Sequence, residues 1–344
     1  MDQSDAISKQ ILETYASCNE SLTIQPVTIG QVTWRNELVL FIKPEIFMVE
    51  RVSQVEQTIH LLFTKLNEFK AYTSGIMVVG GKVLDEKEIM NNHYGFINRL
   101  SRLASKILDD NDRNIIANVL GLTSIEDYEI SGGHEYLLRH PNQDVFSLDR
   151  LWFTKKSIKL RSGFYVQAYE DNGQKIILVN GFHPAQLVQF TNPTHRIVLL
   201  LIHSNTDWSV LKNQMIGATF PEKAVKESIR GILFAQSREF GLETVSIANN
   251  GVHLSAGPFE GAYETVNFFA KILGANPEKN PPLVLQRIMR TGVPVEQAFS
   301  ILRNPILEAP GKPIDLFTAT EDMNTEDSIR YWERNKDKAI GFSR

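Results

Sequence analysis

The order of apolar segments along the chain predicts an α+β fold built around one antiparallel sheet. Short apolar runs at 38–42, 75–81 and 196–202 are typical of buried strands, and VHLS at 252–255 predicts a fourth strand. In chain order, the sequence predicts strand–helix–strand, then an additional helical segment, then a second strand–helix–strand. This is the order of a ferredoxin-like split βαβ sandwich, in which we expect a four-stranded antiparallel sheet covered on one face by helices.

Helices are predicted where apolar residues recur at helical spacing. In chain order they span 5–17, 52–69, 93–108, 113–122, 183–190, 207–215, 221–230 and 259–273. Pro221 stands at the first position of the helix predicted over 221–230, where its missing N–H is not needed. The tripeptide Asp-Asn-Gly at 171–173 joins two β-prone runs, which predicts a hairpin.

Changes in amino-acid composition along the sequence divide the chain into segments. We predict an N-terminal helical extension at 1–36 and a core domain made of 37–100 and 181–274. Loop-rich sequence between the two halves predicts an inserted subdomain of helices and a β-hairpin at 101–180. A polar, proline-punctuated C-terminal extension follows at 275–344.

Composition limits the class of protein. The 344 residues are 42% hydrophobic and 22% charged with a formal charge of −4, which is ordinary for a globular protein and gives no strong nucleic-acid signal. Cys18 is the only cysteine, so no intrachain disulfide can form. The first ten residues lack the basic and apolar regions of a signal peptide, and no apolar run approaches the roughly 20 residues that span a bilayer. We therefore expect a cytoplasmic protein with no membrane partner.

Several common motifs are missing from the sequence. The stretch VVGGKVLDEK lacks the spacing of a Walker A loop, and no G-x-G-x-x-G follows a predicted strand. His134 and His140 stand six residues apart and do not meet the H-E-x-x-H pattern of a zinc site. The sequence therefore predicts no dedicated metal site.

A linked set of short motifs carries the strongest functional signal. In chain order the set is Gly217-Ala218-Thr219-Phe220-Pro221, Ile229-Arg230-Gly231, Asn250-Gly251-Val252-His253-Leu254-Ser255 and Glu264. This set resembles the nucleoside diphosphate kinase family, whose pattern joins G-A-T-x-P, I-R-G, N-x-x-H-x-S and a glutamate on the next helix. LVLFIKPE is similar to the family's first strand, which delivers a lysine, here Lys43, and NHYGF to its tyrosine-bearing helix, here Tyr94. Phe182, with His183 as the alternative, is the nearest match to the aromatic residue that stacks on the base.

The resemblance implies an enzyme that moves the terminal phosphate of a nucleoside triphosphate to a nucleoside diphosphate in a ping-pong reaction. His253 would be the nucleophile, and Glu264 and Ser255 would fix its tautomer and orientation. The implied nucleotide-binding residues are Lys43, Tyr94, Phe182, Thr219, Arg230 and Asn250. The resemblance also implies Mg²⁺ held through the nucleotide phosphates and a homo-oligomer.

Each candidate also has a purely structural interpretation. A histidine between Val252 and Leu254 suits an apolar core, and phosphate binding is not the only use of the other groups. The alternatives are a helix cap for Ser255, a surface acid for Glu264, a solvated strand end for Lys43, a core aromatic for Tyr94, a charge at a helix C-terminus for Arg230, and a cap of the helix 221–230 for Thr219.

Departures from the family pattern leave a second function open. Asn213 stands where the family has an arginine, and Lys212 beside it offers only a point charge. Ala256 replaces an acid close to the histidine, and the loop from Arg230 to Asn250 is longer than in the family. The alternative is a nucleotide-binding regulatory or interaction module with reduced or no kinase activity. A third possibility is phosphorelay to a protein acceptor.

Overall fold

The computed structural model describes residues 3–17, 20–161, 163–171, 173–310 and 312–343. Cys18 lies outside the described residues. The chain forms two compact units, which we call the first unit and the second unit. The first unit comprises residues 1–89 and 190–344, and the second unit comprises residues 90–189. The predicted insertion at 101–180 falls inside the second unit.

Twelve strands are found in the described part of the chain. They are β1 Ser21–Gln25, β2 Asn36–Ile42, β3 Ala71–Gly80, β4 Glu129–Gly132, β5 Ile158–Arg161, β6 Phe164–Asp171, β7 Gln174–Val179, β8 Arg196–Ser204, β9 Val252–Leu254, β10 Pro305–Leu307, β11 Ile314–Asp315 and β12 Ala339–Phe342.

The helices are α1 Gln3–Ser17, α2 Val52–Glu68, α3 Gly81–Glu86, α4 Ile89–His93, α5 Gly95–Ile107, α6 Asp110–Leu120, α7 Gly133–Arg139, α8 Val145–Trp152, α9 His183–Thr191, α10 Trp208–Val210, α11 Ile229–Ala235, α12 Pro258–Glu264, α13 Lys271–Leu273, α14 Leu283–Met289, α15 Val295–Ser300, α16 Leu316–Ala319 and α17 Thr325–Asn335. Short 3₁₀ turns span Pro44–Phe47, Pro221–Lys223, Ile301–Arg303 and Lys336–Lys338. Two π-helical turns, Leu211–Ile216 and Thr265–Ala270, continue α10 and α12.

The main sheet of the first unit has five strands in the order β1-β3-β8-β2-β9, and every neighbouring pair is antiparallel. The four predicted strands are all present, so the fold is α+β with an antiparallel sheet. The prediction of four strands is wrong by one, because β1 adds to the edge of β3. Its sequence, SLTIQ, is only partly buried and contains no apolar run, so pairing with β3 rather than burial defines it.

Helices cover both faces of this sheet, so the prediction of one covered face is also wrong. Side chains alternate along a strand, and Leu38, Leu40 and Ile42 of β2 pack in one cluster with residues of α1, α2 and α11. On the opposite face, the Phe41 ring lies 5.6 Å from the ring of Phe268, in the π-helical turn after α12. The helix predicted over 259–273 therefore supplies the second layer.

The helix predicted over 221–230 does not form. Only the 3₁₀ turn Pro221–Lys223 follows Pro221, and a new helix, α11, begins at Ile229. Ser228 ends the irregular segment, since its Oγ accepts a hydrogen bond from the N–H of Gly231 at 3.1 Å and caps α11. Arg230 therefore lies in the first turn of a helix, and Thr219 caps no long helix.

The segment after residue 274 folds as part of the first unit. Strand β10 pairs with both β11 and β12, and Leu307 of β10 packs in one buried cluster with residues of helices α14 to α17. Leu285, Ile301 and Phe317 share one buried cluster with Phe259 and Ala262 of α12. The polar surface of this segment thus conceals a core that it shares with α12.

We expect Leu285→Ala to lower the free energy of unfolding by about 2–5 kcal/mol, because it removes a fully buried side chain from this shared cluster. Urea denaturation followed by circular dichroism measures the change. Leu273→Ala is the matched control, since Leu273 is 45% exposed and its truncation leaves no cavity. Equal effects of the two substitutions would contradict a packed C-terminal segment.

The second unit contains a four-stranded sheet in the order β4-β7-β6-β5. Strands β4 and β7 are parallel, and the other pairs are antiparallel. The predicted hairpin is confirmed, since β6 and β7 pair up to Asp171 opposite Gln174.

None of the helices in the described part of the chain is both long enough and apolar enough to traverse a bilayer.

Candidate functional site

His253 lies in the middle of the edge strand β9, opposite Phe41 of β2. Its imidazole stacks on the Phe41 ring, with 4.5 Å between ring centroids and 18° between ring planes. About a fifth of the side chain, 20%, remains exposed. The ring is therefore fixed by packing on one face and still reaches the surface.

A buried carboxylate sets the orientation of this ring. Glu264, whose side chain is 1% exposed, places Oε1 2.7 Å from His253 Nε2. Its Oε2 accepts a hydrogen bond from Ser255 Oγ at 2.5 Å. Because an ionised carboxylate only accepts hydrogen bonds, Nε2 carries the imidazole proton and Nδ1 carries the lone pair of the neutral ring.

The surroundings keep His253 neutral. Burial lowers the pKa of His253 to about 3; the charge of Glu260 opposes this, and those of Lys43 and Arg230 add to it. At neutral pH the ring therefore keeps the lone pair that a nucleophile needs.

Lys43 follows β2 directly and lies beside the turn that precedes His253. Its backbone N–H donates to the carbonyl of Gly251 at 2.9 Å, and its Nζ donates to the carbonyl of Ala248 at 2.9 Å. Burial lowers the pKa of Lys43 to about 8, with Glu45 opposing the shift and Arg230 adding to it. Gly251 has a φ of +80°, a conformation that favours glycine, so the turn suits this residue.

Arg230 connects the predicted G-A-T turn to the histidine strand. One terminal nitrogen donates to the carbonyl of Gly217 and the other to the carbonyl of Val252, both at 2.9 Å. Gly217 has a φ of +96°, and a Cβ there would meet Ser228 Oγ at 2.3 Å. The guanidinium is buried, which lowers the pKa of Arg230 to about 10, so it is charged at neutral pH.

Asn250 joins the same turn from the other side. Its Nδ2 donates to the carbonyls of Ile247 at 3.0 Å and Thr219 at 3.4 Å. The Thr219 residue itself is exposed. Lys43, Arg230, Asn250 and the carbonyl of Thr219 thus belong to a network of hydrogen bonds with the turns around β9. Ser255 and Glu264 form a separate set of hydrogen bonds with His253.

Two buried polar atoms in this network have no hydrogen-bond partner among the described residues. They are Nε of Arg230 and Oδ1 of Asn250. Arg230 is 9% exposed and Asn250 is 2% exposed. A buried donor or acceptor without a partner costs about 1–3 kcal/mol, so both atoms favour a polar ligand at this place.

Sequence reasoning missed two acids and one aromatic residue. Glu260 lies four residues before Glu264 on α12, and its Oε2 accepts from the N–H of Ala256 at 2.8 Å. Glu45 Oε1 accepts from the N–H of Gly251 at 3.0 Å, and burial raises the pKa of Glu45. The helical i, i+4 spacing of Glu260 and Glu264 was a signal for the first. Phe41 and Glu45 both stand in the segment LVLFIKPE, but the resemblance gives a role only to Lys43 there.

Asn213, which stands where the family pattern has an arginine, and its neighbour Lys212 lie in different surroundings. Asn213 is exposed on the π-helical turn Leu211–Ile216. Lys212 forms ion pairs with Glu321 and, at 2.9 Å, with Asp322. Lys212 is thus engaged with the C-terminal segment, and it would have to leave both acids to bind phosphate.

Tyr94 and Phe182 belong to the second unit. Tyr94 precedes α5, and its ring lies 5.8 Å from the ring of His183. Phe182 packs in an aromatic cluster, with its ring 5.8 Å from those of Trp152 and Tyr165. His183 is fully buried, and its Nδ1 lies 3.0 Å from Gln186 Oε1. Their contribution to a nucleotide site stays a prediction.

Comparison with known proteins adds no assignment. No protein-family model matches the chain, and no curated protein matches it either.

Proposed function

We propose that this protein is a nucleoside diphosphate kinase-like phosphotransferase with a ferredoxin-like core. The observation that carries the proposal is the contact of His253 Nε2 with the buried Glu264 Oε1 at 2.7 Å, because a neutral ring protonated at Nε2 has its lone pair on Nδ1. The strand order β9-β2-β8-β3, antiparallel throughout, supports the ferredoxin-like plan. We also propose a homo-oligomer, from the resemblance of the sequence, and a cytoplasmic location, because a single cysteine fits a reducing compartment.

In the first half-reaction, Nδ1 of His253 attacks the terminal phosphorus of a nucleoside triphosphate. The bond to the bridging oxygen breaks, the nucleoside diphosphate leaves, and the phosphate stays on the imidazole. Glu264 stabilises the positive charge that the ring acquires, because its carboxylate already faces Nε2. A nucleoside diphosphate then takes the phosphate in the reverse step.

Cationic and donor groups near the ring suit the transferring phosphate. Lys43 and Arg230 bring positive charge, and Nε of Arg230 is the buried donor without a partner among the described residues. Mg²⁺ would enter with the nucleotide and partly neutralise its phosphates. By the resemblance, the ion would be held mainly by phosphate oxygens and water.

Labelling with γ-³²P-ATP and Mg²⁺ tests the proposal directly. The full chain should acquire a label that is lost in acid and stable in base, and an added nucleoside diphosphate should remove it as labelled triphosphate. Chase with each nucleoside diphosphate in turn measures base preference. A wild-type protein that binds nucleotide and stays unlabelled would overturn the kinase proposal.

The pKa of Lys43 predicts an alkaline limit to this reaction. A pKa of about 8 means that the ammonium is present below pH 8 and is lost as the pH rises through that value. His253, with a pKa of about 3, stays neutral from pH 5 upward. We expect the second-order rate constant of phosphoenzyme formation to be level between about pH 5.5 and 7.5 and to fall about tenfold per pH unit above 8.

Lys43→Arg separates this cause from others, since a guanidinium stays charged beyond pH 8. The variant should be slower overall, because its fork does not fit the lysine's contacts, and its rate should not fall near pH 8. An unchanged alkaline limit in Lys43→Arg would assign the limit to another group.

A nucleotide-binding module without turnover is the second candidate. Exposed Asn213 and the ion pairs of Lys212 favour it, because the arginine clamp of the family pattern has no evident substitute in the described residues. Affinity for several nucleotides by calorimetry, together with no phosphate exchange between them, would establish this function. Loss of label only when a protein acceptor is added would instead identify phosphorelay.

A further inference from the structure

Three polar residues form a second cluster in the first unit, at the opposite end of β2 from the Phe41–His253 pair. Glu37 of β2 lies opposite His203 of β8, and Ser74 comes from the neighbouring strand β3. We call these three residues the Ser74 cluster. The proposed phosphotransfer uses none of them.

The hydrogen bonds of the Ser74 cluster run in one direction. Ser74 Oγ lies 2.5 Å from His203 Nδ1, and His203 Nε2 lies 2.8 Å from Glu37 Oε2. Because the Glu37 carboxylate only accepts, Nε2 carries the imidazole proton. In the neutral imidazole, Nδ1 then carries the lone pair and accepts the hydroxyl proton of Ser74, which is the relation of a nucleophile to its general base.

The carboxylate of Glu37 is buried and accepts hydrogen bonds from two backbone N–H groups. Glu37 Oε2 also accepts from the N–H of Gly30 at 2.6 Å, and Oε1 accepts from the N–H of Leu283 at 2.9 Å. The side chains of His203 and Glu37 are 0% and 3% exposed. Such a carboxylate orients the imidazole as the acid of a Ser-His-Asp/Glu triad does.

Ser74 occupies a bulge and reaches the surface. The pairing of β3 with β8 shifts register between Thr73 and Gly75, so Ser74 is the extra residue of the bulge. Bulges redirect side chains and occur often beside active sites. Ser74 is half-buried, and the ring of Tyr72, 52% exposed, lies 5.0 Å from the ring of Trp34. Tyr72 stands two residues before Ser74 on β3, and the Trp34 ring lies 6.4 Å from the ring of His203. This aromatic pair suits an apolar acyl chain.

We propose that the Ser74 cluster is a nucleophilic site that takes carboxylic esters with an apolar acyl group. Ser74 Oγ attacks the carbonyl carbon, and its proton moves to His203 Nδ1. The bond from the carbonyl carbon to the alcohol oxygen breaks, and His203 returns the proton to the departing alcohol. Water then attacks the acyl-serine by the same route and releases the carboxylic acid. Glu37 is a positioning residue that acts through His203.

An alkyl fluorophosphonate, which modifies activated serines with loss of fluoride, tests this site in the full chain. Intact mass should rise by one phosphonyl group, and peptide mapping should place it on Ser74. Ser74→Ala and His203→Gln should remain unmodified at equal probe concentration. Hydrolysis of p-nitrophenyl butyrate should stop in the same two variants.

Glu37→Gln distinguishes positioning from support of the fold. We expect its maximal modification rate to fall on the order of 10³–10⁴-fold, with the half-saturating probe concentration unchanged. His253→Ala should be modified as fast as the wild type, so this result is independent of the proposed phosphotransfer. An unmodified wild type, or a modification that persists in Ser74→Ala, would overturn the proposal. A lower unfolding temperature of Ser74→Ala beside an unmodified wild type would show that the cluster serves only the fold.

Discussion

His253→Ala is expected to abolish the proposed phosphoenzyme and to lower nucleoside triphosphate–diphosphate exchange by roughly 10⁴-fold or more, because it removes the proposed nucleophile of both half-reactions. The stacked Phe41 offers no lone pair, and the buried carboxylate of Glu264 faces the ring position. If the His253→Ala variant still acquires an acid-labile label, another residue is the nucleophile.

Measurement requires purified variants labelled with γ-³²P-ATP, with exchange followed by separation of the nucleotides. His60→Ala is the matched control, since His60 is an exposed histidine of α2. It should label at the wild-type rate. Circular dichroism of His253→Ala checks that the change leaves the fold intact, which we expect because the side chain is partly exposed.

Arg230→Lys is expected to affect both stability and turnover. The guanidinium bridges two buried carbonyls, those of Gly217 and Val252, and an ammonium cannot reach both with the same geometry. Leaving one or both acceptors without a partner should lower the free energy of unfolding by about 2–4 kcal/mol. Phosphoenzyme formation should slow by about 10²-fold, since the donor Nε is lost as well.

Urea denaturation and the labelling rate measure these two effects separately. Arg238→Lys serves as the control, because Arg238 is exposed and its replacement removes no buried contact. If Arg230→Lys unfolds at the same urea concentration as the wild type, the contacts with the two carbonyls contribute little to stability. If Arg230→Lys is labelled at the wild-type rate, Arg230 does not contribute to the phosphate site.

Continuous apolar runs made the central strands predictable from the sequence. Strands β2 and β8 are buried at nearly every position, because helices cover both faces of the sheet. Strand β1 could not be predicted in this way, since its exposed edge tolerates polar residues and only the pairing with β3 defines it.

The segment 221–230 shows how tertiary contacts override helical spacing. Its apolar residues recur as in a helix, yet Arg230 is drawn to the carbonyl of Gly217, and Ser228 caps a new helix instead. The contact of Arg230 with Gly217 joins residues 13 positions apart and cannot be seen in local sequence, whereas the Ser228 cap is a local contact with the N–H of Gly231.

The candidate site was predictable only where short motifs marked it. The positions of His253, Ser255 and Glu264 follow from one motif and the next helix, and the structure joins them by hydrogen bonds. Glu45 and the carbonyl of Ala248 take part through backbone geometry, which residue identity does not encode.

The contact between the C-terminal segment and the histidine loop has a consequence for how the chain can change over evolution. The N–H of Asp322 donates to the carbonyl of Ala256 at 3.0 Å, three residues beyond His253. Because this bond and the core shared with α12 tie the two regions together, a gene fragment that stops at the end of α13 would encode an aggregation-prone product. The sequences of the candidate site and of the C-terminal segment must therefore be inherited together, and substitutions in one would select for compensating substitutions in the other.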